Sequence, residues 1–344
     1  MIARYATVLL MYFVAGVAMA AELEESDTEF PLFDDQPLAE PLSFPDWFKL
    51  SFLDLGEDIA EAKQAGKQGI IVYFGQKYCA YCKQFLHDLT KEDIHTYMQQ
   101  HFDVIGTDIH GFRMVTDLAG NEVVESRFAR QEKTNFTPSV VFYDTDGQEA
   151  LRLRGYYPPY RFRAALEYVA DRHYRRESFR EYLERAGVPL VFEPGDLSDE
   201  DFFIPGPYML DRSRIRGERP LVVFFEQGEC HACDVLHTGP LKDPEIRERL
   251  RQMENVQLSF WSDTPVITPA GERTTAQQWA LKLGLFYTPT LIVFDSDGSE
   301  IIRIDSVVQF YRLRNVLDYI LSGGYEDYDT FQQWRETRRE PVYK

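Results

Sequence analysis

The stretch Ile70-Ile71-Val72-Tyr73-Phe74, leading to Cys79-Ala80-Tyr81-Cys82, is repeated as Leu221-Val222-Val223-Phe224-Phe225, leading to Cys230-His231-Ala232-Cys233. The first cysteines of the two motifs stand 151 residues apart (230 − 79). The same offset carries Thr137-Pro138 onto Thr288-Pro289, Asp146-Gly147 onto Asp297-Gly298, Tyr160-Arg161 onto Tyr311-Arg312 and Tyr168 onto Tyr319. A register kept without net gap from the first strand to the last helix marks an internal duplication.

A chain of 344 residues exceeds what one hydrophobic core usually covers. The repeat divides it into two units of about 125 residues, close to the commonest domain size. With 44% hydrophobic and 27% charged residues the composition is globular, and no internal apolar run is long enough to span a bilayer. The formal net charge of −19 argues against nucleic acid or an anionic membrane as partner.

At the amino terminus Arg4 precedes an apolar stretch, Ala6 to Val17, and the small-residue pattern Ala18-Met19-Ala20. This reads as a secretory signal over residues 1–20, leaving an exported, periplasmic protein soluble after cleavage near Ala20. An uncleaved anchor is the alternative reading. All four cysteines belong to the two motifs, so none remains to staple the fold in an oxidising compartment.

Residues 21–43 are acidic and dotted with Pro31, Pro37 and Pro41, as expected of a mobile leader. Units follow at 44–173 and 201–324, with a linker over 174–200 that begins as a charged helix and turns Pro- and Gly-rich, and a tail over 325–344 with no assigned role. Within each unit the patterns predict helix, buried strand, Cys-x-x-Cys at a helix start, strand, helix, then a hairpin around Asp-Gly and a closing helix. The expected architecture is α/β, with two tandem domains each built on a central mixed sheet flanked by helices.

A Cys-x-x-Cys at the mouth of a helix that follows a buried strand places the first sulfur at the positive helix end, where free N–H groups stabilise its thiolate. The first thiols, Cys79 and Cys230, are expected to be exposed attackers; Cys82 and Cys233 resolve the mixed disulfide from within. Cys-x-x-Cys also serves zinc, but Cys82 and Cys230 are 148 residues apart (230 − 82), far more than in a zinc ribbon. A zinc site across the units, or purely structural disulfides, are the competing readings.

This order of elements resembles the thioredoxin superfamily over about residues 50–173 and 201–324, and most of all exported bacterial thioredoxin-like proteins of the SoxW type. The resemblance implies cis peptides before Pro138 and Pro289, packed against the sulfurs, with Thr137 and Thr288 offering backbone groups to an extended substrate. Two features depart from it. Thioredoxin carries a buried acid where this chain has Tyr73 and Phe224, and the aromatic residue before the first cysteine, kept as Tyr78, is replaced by Glu229.

The copies also differ in nearby charge. Lys77 and Lys83 flank the first pair; Glu229 and Asp234 flank the second, with His231 inside it. On charge alone Cys79 is the more acidic thiol, and the basic rim of the first centre could face the acidic rim of the second for exchange between domains. Together these residues point to an exported thiol–disulfide oxidoreductase, reductase-like, using cysteine pairs with no cofactor or metal. Its partners would be exported proteins with thiols or disulfides and an upstream thiol electron donor. The alternative is a non-catalytic redox-linked chaperone or metal-binding module of the same fold.

Overall fold

The computed structural model describes residues 33–186 and 197–338; the signal over residues 1–20 and most of the leader lie outside them. The first half runs α1 (Leu55–Gln64), β1 (Gly69–Gly75), α2 (Ala80–Asp88), α3 (Glu92–His101), β2 (Phe102–Asp108), β3 (Met114–Thr116), β4 (Glu122–Val124), α4 (Glu125–Gln131), β5 (Ser139–Asp144), β6 (Glu149–Arg154) and α5 (Pro159–Ala170). After α6 (Phe179–Ala186), the second half runs β7 (Tyr208–Met209), β8 (Leu221–Glu226), α7 (His231–Thr238), α8 (Pro244–Leu250), β9 (Glu254–Ser259), β10 (Pro265–Ile267), β11 (Arg273–Thr275), α9 (Ala276–Lys282), β12 (Thr290–Phe294), β13 (Glu300–Ile304) and α10 (Phe310–Leu321). Two short helices follow, α11 (Gly324–Asp327) and α12 (Phe331–Thr337).

Each half has a four-stranded mixed sheet, ordered β2-β1-β5-β6 and β13-β12-β8-β9. The motif strand lies centrally, parallel to β2 or β9 and antiparallel to β5 or β12. Both faces of that strand are covered, which is why Ile70–Phe74 and Leu221–Phe225 are apolar throughout instead of alternating. The hairpins turn at Gly147 and Gly298, whose φ values of 77° and 88° are the left-handed geometry expected of Asp-Gly.

The two halves meet about an approximate two-fold axis. Val307 N–H donates to the carbonyl of Tyr156 at 3.0 Å, and these are equivalent positions of the repeat. Their neighbours Gly155 and Ser306 are also equivalent, and they approach so closely that a Cβ on Gly155 would stand 2.0 Å from Ser306 Oγ. Phe136 leaves the first half to join the core of the second, while its counterpart Tyr287 joins the core of the first. Contact between equivalents and reciprocal insertion are what an isologous interface produces.

One segment differs from expectation, and the tail, for which the sequence assigned no role, finds a seat. Residues 33–43, read as part of a mobile leader, lie against the first half: Phe33 and Leu42 pack on its core, and Asp35 is buried. The described part of the tail, to residue 338, is likewise packed, with Phe331 and Trp334 in the second core and the Gln332 amide donating to the carbonyl of Asn135 at 2.8 Å. Composition marked both stretches as polar; a few apolar anchors and one buried carboxylate sufficed to seat them.

Candidate redox centres

In both halves the first cysteine is the N-cap of the motif helix, with extended φ/ψ of −108°/108° at Cys79 and −114°/95° at Cys230. The backbone N–H of Cys82 points at Cys79 Sγ at 2.9 Å, and that of Cys233 at Cys230 Sγ at 3.1 Å. A two-residue gap wound into the first helical turn brings both sulfurs together, and each pair is a disulfide with Cα atoms 5.1 Å apart. An amide aimed at the leading sulfur stabilises a thiolate there once the bond is reduced.

The Thr-Pro peptides Thr137–Pro138 and Thr288–Pro289 are both cis, and so is Gly206–Pro207, for which the sequence carried no indication. Cys79 Sγ lies 3.6 Å from the Thr137 carbonyl oxygen and 3.4 Å from its Oγ1; Cys230 Sγ lies 3.7 Å and 3.6 Å from the same atoms of Thr288. The threonine-proline loop therefore backs the leading sulfur in each half.

The expected exposure of the leading sulfurs is not found. Cys79 is 7% exposed and Cys230 8%. The surroundings of the two sulfurs differ, and at the first the other half of the chain contributes Val235, Tyr287 and Val307 to the cluster that holds Cys79. Around the first centre Ala80, Tyr81 and Thr137 are all buried. Around the second, His231 is exposed, while Ala232 and Thr288 are half-buried.

The first centre is closed by three elements. Arg312, on α10, lays its guanidinium 3.3 Å from the Tyr81 ring centroid and donates to the Thr137 carbonyl at 2.7 Å, occupying the acceptor that the resemblance assigns to substrate. Asp35 accepts from the backbone N–H of Tyr311 and of Arg312 and from the Tyr81 hydroxyl, each at 2.8 Å. Tyr81 Oη in turn accepts from Gln309 N–H at 2.8 Å. The open amino end of α10 is thus capped by the leader and by a residue inside the Cys-x-x-Cys motif. Burial raises the Tyr81 phenol well above its ordinary value, so it stays a protonated donor. Leu38 and Leu42 add backbone bonds to Tyr78 and Lys77 at 3.2 and 2.7 Å. From the tail side, Gln76 bonds Thr137 Oγ1 at 2.7 Å and Gln332 at 3.4 Å.

Lys77, Lys83, Glu229 and Asp234 are exposed, and none of the four enters an ion pair among the described residues. A charged network does lie near the second centre, one turn after Cys233. His237 is buried between Glu226, whose Oε2 is 3.0 Å from Nε2, and Glu200, whose Oε1 is 3.3 Å from Nδ1. Burial opposes a charged imidazole, but the two carboxylates outweigh it and hold His237 above its ordinary value. A raised folded-state value contributes stability that is fully present below the unfolded value near about 6.5 and is lost as pH rises through the folded value. The urea midpoint should therefore fall across that window, and His237→Gln should flatten the fall; an unchanged slope would clear this network of the effect.

Arg312 had a signal in the sequence, since the Tyr-Arg pair survives the duplication. Glu226 went unnoticed, although a charge directly after the apolar run Leu221–Phe225 was a signal that could have found it. Asp35 had none, being one acid among many.

A profile described as a thioredoxin-like domain matches residues 55–170 and again 208–321. No curated protein matches the chain. Among solved structures it is similar to a thioredoxin-fold protein from Helicobacter pylori, at 28% identity over 34% of this chain and 78% of that one, TM-score 0.29. It is similar to a thioredoxin from Thermus thermophilus, at 25% identity over 34% and 83%, TM-score 0.27. A disulphide isomerase from Xylella fastidiosa Temecula1 matches at 17% identity over 42% and 99%, TM-score 0.25.

Proposed function

This chain belongs to the thioredoxin-like domain family through both of its halves, and from that premise we propose that it is a reductase-like thiol–disulfide oxidoreductase acting on protein disulfides. The observation that carries the reading is the leading sulfur at a helical amino end, with its partner cysteine in bonding reach and a cis Thr-Pro loop behind it, present twice. In the reduced second centre the Cys230 thiolate attacks one sulfur of a substrate disulfide, forming a mixed disulfide and expelling the other substrate sulfur as a thiolate. Cys233, once deprotonated, attacks Cys230 Sγ and expels the second substrate thiolate. The substrate gains two electrons and two protons, and the Cys230–Cys233 disulfide remains for an upstream dithiol to reduce.

The half-buried Thr288 and exposed His231 support the second centre as the one that meets partners. Ala232 and Val235 pack against the cluster that holds Cys79, which supports onward exchange between the centres. The amino-terminal pattern of Arg4, the apolar stretch Ala6 to Val17 and Ala18-Met19-Ala20 supports reading it as an exported, periplasmic protein. With dithiothreitol as electron donor, the chain should reduce a protein disulfide faster than the reagent does alone. A binding module that holds peptide or metal without turnover would give no acceleration.

A further inference from the structure

A cleft of about 1230 Å³ opens between the halves. One wall is the end of α4 with the turn after it and the end of β6, contributing Arg127, Arg130, Lys133 and Arg154. The other wall is β13, contributing Ile301 and Arg303. In a chain of net charge −19 this is a local concentration of cations. The side chains of Arg127, Arg130 and Lys133 enter no hydrogen bond or ion pair among the described residues. Arg154 acts at longer range on the buried Asp305. Arg303 is neutralised by Glu300 at 2.7 Å, and Asp329 is the remaining acid at the rim.

The second observation is independent of charge. β13 is an edge strand, paired with β12 alone, and its consecutive residues Glu300 to Arg303 all line the cleft. Edge strands that natural proteins leave open to solvent are usually blunted, and one held open inside a cleft is a template for another strand.

We propose that this cleft binds an extended, acidic polypeptide segment of a partner protein, added as a fifth strand on β13 with its carboxylates on Arg127, Arg130 and Lys133. The backbone ladder fixes the segment's direction and register, and the cations select its charge. Phosphate polymers meet the repulsive field of the whole molecule and have no strand to add, whereas a few carboxylates within a Debye length of about 8 Å respond to the nearby cations. The site needs no cysteine, so its fate is separate from that of the redox reading.

The probe is an acetylated and amidated decapeptide alternating Glu with Val and Thr, free of cysteine, titrated into the full chain at physiological salt. It should bind saturably. Its affinity should drop at least tenfold in the R127E/R130E variant, and by a similar factor when the peptide is N-methylated at alternate residues. Saturation absent at millimolar peptide, or equal binding of a Lys-for-Glu peptide, would overturn the proposal. So would an N-methylated peptide that binds as well as its parent, or tripolyphosphate that competes as strongly, because either outcome makes the cleft a simple anion patch. If R127E/R130E fails to fold, the N-methylated peptide on the unaltered chain still decides.

Discussion

Replacing Cys230 by Ser should bring protein-disulfide reduction down to the rate of dithiothreitol alone, while Cys79→Ser keeps most of the activity. Both sulfurs have the same helix end, the same amide contact and the same cis-proline loop, so backbone geometry does not separate them. Access does. A substrate reaching Cys79 must displace Arg312 from the Thr137 carbonyl and find room beside a buried Ala80 and Tyr81. Thr288 is half-buried, and its carbonyl lies 3.7 Å from the Cys230 sulfur. Loss of the attacking thiol should lower kcat/KM on the order of 10³-fold, equivalent to about 4 kcal/mol of transition-state stabilisation. Steady-state kinetics on the two variants, with Cys233→Ser trapping the mixed disulfide for mass spectrometry, give the comparison. Equal losses, or a larger loss at Cys79, would remove the assignment of the second centre as the outward one.

Opening the first centre is expected from Arg312→Met. Methionine keeps much of the buried volume but cannot donate to the Thr137 carbonyl, and the change also removes the charge stacked on Tyr81. A hydrogen bond involving a charged group contributes about 1.5–3 kcal/mol, which corresponds to roughly a 10- to 100-fold change in the open population. Alkylation of reduced Cys79, followed peptide by peptide, should accelerate by that factor while Cys230 stays within about twofold of its original rate. Asp35→Asn should act in the same direction, because the neutral amide weakens the cap on α10 and the contact with Tyr81. An unchanged Cys79 rate in both variants would show that the contacts around Arg312 do not gate the centre.

Much of the fold was legible because its signals are local. A fully covered strand reads as an unbroken apolar run, Asp-Gly marks a hairpin, and duplication repeats every signal at one offset, so Ile70–Phe74 and Ser139–Tyr143 were recognisable along with their copies. The cysteine pairs were legible for the same reason, since two residues of spacing within one helical turn settle the approach of the sulfurs. Exposure of those sulfurs was misread because it depends on the other half of the chain. Asp35 lies more than 270 residues from the helix it caps (311 − 35), and no local pattern distinguishes it from its acidic neighbours. The tail was opaque for a related reason, because the seats of Phe331 and Gln332 are built by Phe136 and Asn135 in the other half.

The amino-acid sequence by itself determined two copies of one strand–helix chemistry, each with a thiol pair at a helix mouth and a Thr-Pro loop, because these follow from spacing and burial within a single unit. It also showed that the copies carry different charges around the sulfurs; only the tertiary structure decided that they differ in access. The seam about the approximate two-fold places Arg312 and Asp35 over the first pair, and the second pair, with Ala232 where the first has Tyr81, has no phenol to complete the same closure. Long-range packing thus made two near-identical centres differ in access, through contacts between residues that the chain itself keeps far apart.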